Sequence, residues 1–164
     1  MGWSAHDLSC ENTNYANILK IANDNNLVEK GYNTIVLNDC WMRGERDSEG
    51  HLQVDSEALP KGMKNVSESF NKFGMKLGLT LSAGAKTCQN GKPGSLGFEA
   101  IDANDLKDWG VQYLMYEDCG NEANSSKIRF AAMRGAIERS NFNIFFATKE
   151  PHSHDSFSPS VANS

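Results

Sequence analysis

The sequence predicts an α/β protein built on a parallel sheet. Two observations carry that expectation: short apolar runs alternate with helical patterns, and each run ends in polar residues. Strands covered on both faces read as continuous apolar runs, and strand–helix alternation builds a parallel sheet.

The elements follow in order. A first strand is expected near residues 1–4, at Met1-Gly2-Trp3. Tyr15, Ile18, Leu19 and Ala22 form a helical stripe, with Gly31 at a position suited to close it. Thr34-Ile35-Val36-Leu37 marks a β-branched strand near 33–38, ending in Asn38-Asp39-Cys40-Trp41. Met63, Val66, Phe70 and Phe73 give a second stripe stopped by Gly74. Leu77-Gly78-Leu79-Thr80-Leu81 predicts a strand near 76–81 that ends in Ser82-Ala83-Gly84. Ala103, Leu106 and Trp109 precede Gly110 in a third helix. Tyr113-Leu114-Met115-Tyr116 marks a strand near 112–116 that runs into Glu117-Asp118-Cys119. Ile128, Ala132 and Ala136 give a fourth helix, and Ile144-Phe145-Phe146-Ala147 a fifth strand near 143–147, ending in Thr148-Lys149-Glu150. Residues 152–164 are mostly Ser, His, Pro and Asn, and read as a disordered tail or a degraded continuation.

Composition excludes several partners. A net charge of −5 with scattered Lys and Arg argues against nucleic acid, whose phosphates need a basic face. No apolar stretch approaches the ~20 residues of a membrane-spanning helix. His6, His51, His152 and His154 are separated and form no HExxH or paired CxxC arrangement, so neither a metal site nor a cofactor is expected. The Gly91–Gly97 loop lacks Walker spacing and reads as a turn. Met1-Gly2-Trp3 runs into polar sequence with no leader pattern, which taken literally implies the cytoplasm. Four cysteines and two glycosylation triplets, Asn65-Val66-Ser67 and Asn124-Ser125-Ser126, point the other way. The cysteines alone permit three pairings or reduced core thiols.

The polar strand ends carry the chemistry. In parallel α/β folds the carboxyl ends of the strands form the active face. Asp39, Ser82, Glu117, Lys149 and Glu150 all fall there. Two carboxylates on one face are what a glycosidase needs. The same residues also have a structural reading, with Asp39 capping a loop and Glu117 and Asp118 facing solvent.

Further motifs resemble a known family. They are Met1-Gly2-Trp3, Asn38-Asp39-Cys40-Trp41, Arg46-Asp47-Ser48-Glu49-Gly50 and Gly74-Met75-Lys76-Leu77-Gly78. Gly84-Ala85-Lys86-Thr87-Cys88, Pro93-Gly94-Ser95-Leu96-Gly97, Trp109-Gly110-Val111 and Tyr113 through Cys119 complete a collinear series. The chain resembles glycoside hydrolase family 27, the α-galactosidases and α-N-acetylgalactosaminidases. The resemblance implies residues 1–151 of a TIM-type (β/α) barrel, truncated to about four βα units plus a fifth strand. It also implies Cys10–Cys40 and Cys88–Cys119 disulfides, a secreted, endomembrane or lysosomal location, and retaining hydrolysis of terminal α-galactosyl residues.

Departures from the family pattern bear on activity. The nucleophile position holds Glu117, the sugar-binding Lys position Met115, and other pocket positions His6, Asn38, Thr80 and Ser82. Asp39 is retained, and Lys149 falls near a family glutamate. The acid of the family falls beyond Ser164. The expectation is therefore an α-galactosidase-like chain, inactive alone, that binds an α-galactoside or other glycan. A homodimer or the absent C-terminal half would be its partner. The alternatives are a non-catalytic carbohydrate-binding or interaction half-barrel, and a decayed gene product.

Overall fold

The computed structural model describes residues 1–4, 10, 15–120, 125–149 and 158–159. Chain order runs β1 (Gly2–Ser4), α1 (Tyr15–Asp24), β2 (Thr34–Leu37), a 3₁₀ turn (Asp39–Trp41), and a hairpin of β3 (Met42–Arg46) and β4 (Leu52–Val54). It continues through α2 (Gly62–Lys72), β5 (Lys76–Ser82), α3 (Glu99–Trp109), β6 (Tyr113–Glu117), α4 (Ser126–Ser140), β7 (Phe145–Lys149) and β8 (Ser158–Pro159). The main sheet is ordered β1-β2-β5-β6-β7-β8. Its first five strands are parallel, and β8 pairs antiparallel to β7. Five parallel strands with four intervening helices make half of a (β/α) barrel, as the sequence implies.

Alternation along the strands divides the two faces. Ile35, Leu37, Leu77, Leu79, Leu81, Leu114, Tyr116 and Phe146 join one buried core with Ile18, Met63, Val66, Phe70, Leu106 and Met133 of the helices. Trp41 adds an edge-to-face contact with Trp109, at 5.5 Å between ring centroids. Gly110 ends α3 in the left-handed conformation at φ 71°, where its own N–H reaches Leu106 O and Lys107 O.

Two sequence expectations need correction, and one element goes beyond them. The buried side of α4 carries Arg129, Met133, Ala136 and Ile137. Ile128 is 61% exposed, so the helix is turned by one residue, about 100°. The cause is the buried ion pair of Arg129 with Asp118 beyond β6, which draws position 129 inward. Phe73 lies past the end of α2 and is likewise exposed. The β3–β4 hairpin has no counterpart in the apolar runs, because three of its residues are exposed. The tail beyond His152 lies outside the described residues, apart from Ser158–Pro159 against β7.

Candidate active site at the carboxyl ends of the strands

Register places the candidate residues on the concave face in two levels. Thr80, Met115 and Ala147 are neighbours across β5, β6 and β7; one pleat further on, Ser82, Glu117 and Lys149 are neighbours. Parallel pairing alone therefore delivers Ser82, Glu117 and Lys149 to one rim. Glu117 is buried at 6% exposure. Its Oε1 accepts from Lys149 Nζ at 3.2 Å, and the lysine side chain stays half in solvent. Thr80 and Met115 are half-buried one level below.

Backbone packing fixes this rim closely. Ser82 Oγ donates to Cys119 O and accepts from Gly84 N, both at 3.2 Å. A Cβ on Gly84 would lie 1.8 Å from Cys119 O, and one on Gly94 would lie 2.0 Å from Gly84 O. Two segments of the β5–α3 loop and the loop after β6 thus stack directly, which only glycine permits. Cys88–Cys119 and Cys10–Cys40 tie the same end of the sheet, with Cα separations of 5.2 and 5.1 Å. Both disulfide pairings implied by the resemblance are present.

Asp39 and Asn38 follow β2 at the same end of the sheet, both buried. Asn38 Oδ1 accepts from Cys40 N at 3.1 Å and caps the 3₁₀ turn. The Asp39 carboxylate accepts from the Thr87 hydroxyl, from Asn90 N at 3.0 Å and from Asn90 Nδ2 at 2.5 Å. It anchors the loop that carries Cys88. Neither Thr87 nor Asn90 carries a chemical signal of its own in the sequence, although Thr87 belongs to the Gly84-Ala85-Lys86-Thr87-Cys88 motif. His6 and Glu150, the remaining expected pocket or rim positions, lie outside the described residues.

Behind the rim, Arg46 grips Asp102 with both arms, at 2.6 and 2.8 Å. The same guanidinium donates to Gly50 O at 2.7 Å and Gly94 O at 2.8 Å, and stands 4.2 Å above the Phe98 ring. Burial pushes the Asp102 carboxyl up, and the Arg46 hydrogen bonds and charge oppose that rise. Among the described residues, no group of three or more His, Cys, Asp or Glu side chains is placed to hold a metal. No helix there is long and apolar enough to cross a membrane.

Comparisons with known proteins agree with this geometry. A family model described as alpha galactosidase A matches residues 5–161. The α-galactosidase of Coffea arabica is 40% identical over 124 residues, covering 76% of this chain and 33% of that protein. Alpha-galactosidase 2 of Arabidopsis thaliana is 36% identical over 153 residues, covering 92% of this chain and 39% of the relative. Among solved structures, α-galactosidase I of Mortierella vinacea superposes with a TM-score of 0.84 at 33% identity, over 92% of this chain and 40% of that one. An α-galactosidase from Saccharomyces cerevisiae, solved with raffinose, gives 0.83 at 33% identity, over 92% of this chain and 34% of that one. The chain thus spans between a third and two fifths of the length of these relatives. It belongs to the α-galactosidase family, glycoside hydrolase family 27, and corresponds to part of that family's barrel.

Proposed function

We propose that this chain is an α-galactosidase-type half-barrel that recognises a terminal α-galactosyl group but does not hydrolyse it alone. One observation carries the reading: the carboxylates of the described rim are already engaged. Glu117 is held by Lys149, Asp118 by Arg129, and Asp39 by Thr87 and Asn90. Retaining hydrolysis needs a nucleophile and an acid about 5–5.5 Å apart. Glu117 would be the nucleophile and Met115 a lost cation, with Thr80 and Asn38 lining the sugar position beside Asp39. Residues 1–151 would form the functional unit, with residues 152–164 as an appended tail. Two disulfides support passage through an oxidising, secretory route.

Local repair tests this directly. The double variant Glu117→Asp, Met115→Lys is expected to release no chromophore from a chromogenic α-galactoside, because no local change supplies the acid. Measurable turnover by that variant would refute the requirement for a second carboxyl group from outside the rim. Galactose should nevertheless raise the melting temperature of the unmodified chain.

A second reading, an interaction half-barrel, is favoured by the apolar surface that the described residues expose on the concave floor. Tyr113 and Phe145 stack there at 5.2 Å, and Phe145 is 38% exposed. In a complete barrel such positions are filled by layers from the other strands. Light scattering is expected to show association, through a second copy or a complementary half-barrel. A monodisperse monomer at high concentration would contradict it.

A further inference from the structure

We infer that His51 and Asp105 form a pH-operated latch that holds the turn of the β3–β4 hairpin against α3. His51 stands just before β4, and its Nδ1 lies 2.8 Å from Asp105 Oδ1 on α3. The contact joins segments 54 residues apart. The imidazole is 43% exposed, whereas the Asp105 side chain is only 12% exposed. The Leu52 backbone amide also helps hold the buried Asp105 carboxylate. A carboxylate this far from water depends on the charge that meets it.

The charges around His51 all favour its cation. From its own turn, Asp47 accepts from the His51 and Glu49 amides, both at 2.9 Å, and Glu49 Oε2 stands 4.0 Å from Nε2. From α3 comes Asp105, while the neighbouring Asp102 is neutralised by Arg46. The hydrogen bond and charge of Asp105 raise the His51 pKa, and partial burial opposes the rise. Burial pushes the Asp105 carboxyl up, and His51 draws it down. Loss of the proton from Nε2 leaves the Nδ1–H bond in place but removes the charge.

The sign follows from linkage. A histidine whose pKa is raised by the closed turn stabilises closure fully below its ordinary value of about 6.5, and loses that contribution as pH rises through the raised value. The latch reaches the rim through Arg46, which takes Gly50 O of the turn and Gly94 O of the loop. Gly94 N in turn donates to Ala85 O at 2.9 Å, beside the Gly84–Cys119 stack.

Nuclear magnetic resonance of the full chain tests the latch, following the His51 ring signal and amide exchange between about pH 5.5 and 8.5, a range that brackets the ordinary histidine value. His51 is expected to titrate above the ordinary value, and Asp105→Asn to bring it back down. Protection of the Asp47, Gly50 and His51 amides, corrected for intrinsic exchange, should fall as His51 loses its proton, while β5 amides stay unchanged. In the variant His51→Gln, whose side chain can hydrogen-bond but carries no charge, that pH dependence should vanish. An unperturbed or depressed His51 titration in the unmodified chain, or turn protection that is flat with pH, overturns the latch.

Discussion

Reduction of both disulfides is expected to bring this chain close to unfolding at ordinary temperatures. The bonds close loops spanning 30 and 31 positions of sequence. Loop-closure entropy assigns each about 3.5–4 kcal/mol, or about 7 kcal/mol together. That is comparable with the whole stability of a domain, about 5–15 kcal/mol. At about 2–4 °C per kcal/mol for a chain of this size, the melting temperature should fall by roughly 15–30 °C. Calorimetry with and without reductant measures it, and paired Cys→Ser variants separate the two bonds. Both bonds staple the carboxyl-end rim, so the loops beside Glu117 should lose hydrogen-exchange protection first. A shift of only a few degrees would mean that packing alone holds the half-barrel.

Removal of Arg46 should be the most damaging single side-chain change. The Asp102 carboxylate is fully buried, and Arg46 supplies its two-armed partner. Truncation to Ala strands that charge and two carbonyls, at a cost of about 3–5 kcal/mol. Lys should rescue poorly, since a point charge cannot meet four acceptors held in one plane-like fork. Asp102 is already pushed up by burial. Without Arg46 its ionised form is disfavoured further, so the loss should be full at neutral pH and shrink as pH falls through the raised Asp102 value. The pair Arg46→Met, Asp102→Leu should recover much of the stability, which thermal melts of the single and double variants would show. Equal damage from Arg46→Ala and the double variant would contradict a buried-charge origin.

Much of this fold was legible in the sequence. Continuous apolar runs and helical stripes placed four of the five parallel strands and the four helices, because burial on two faces leaves a pattern that survives without coordinates, whereas β1 rested on the family resemblance. What escaped was decided by pairings between distant residues. The rotation of α4 depends on Arg129 meeting Asp118, and the hairpin depends on Arg46 and His51 meeting α3. Neither leaves a hydrophobic period. The site was legible as positions rather than as engagements. Glu117 and Lys149 could be named as strand ends, but only register makes them partners. Asp39 could be named as a pocket carboxylate, yet its Thr87 and Asn90 partners come from a loop some fifty residues away.

The central claim is that Glu117 occupies a glycosidase rim whose chemistry is incomplete. Its most direct test is hydrolysis of a chromogenic α-galactoside by the purified, unmodified chain, beside Glu117→Gln at equal concentration. Both should release chromophore at the uncatalysed rate, even at concentrations where the chain self-associates. Turnover by the unmodified chain that Glu117→Gln abolishes would contradict the claim, and would mean that this half-barrel assembles a working acid and nucleophile.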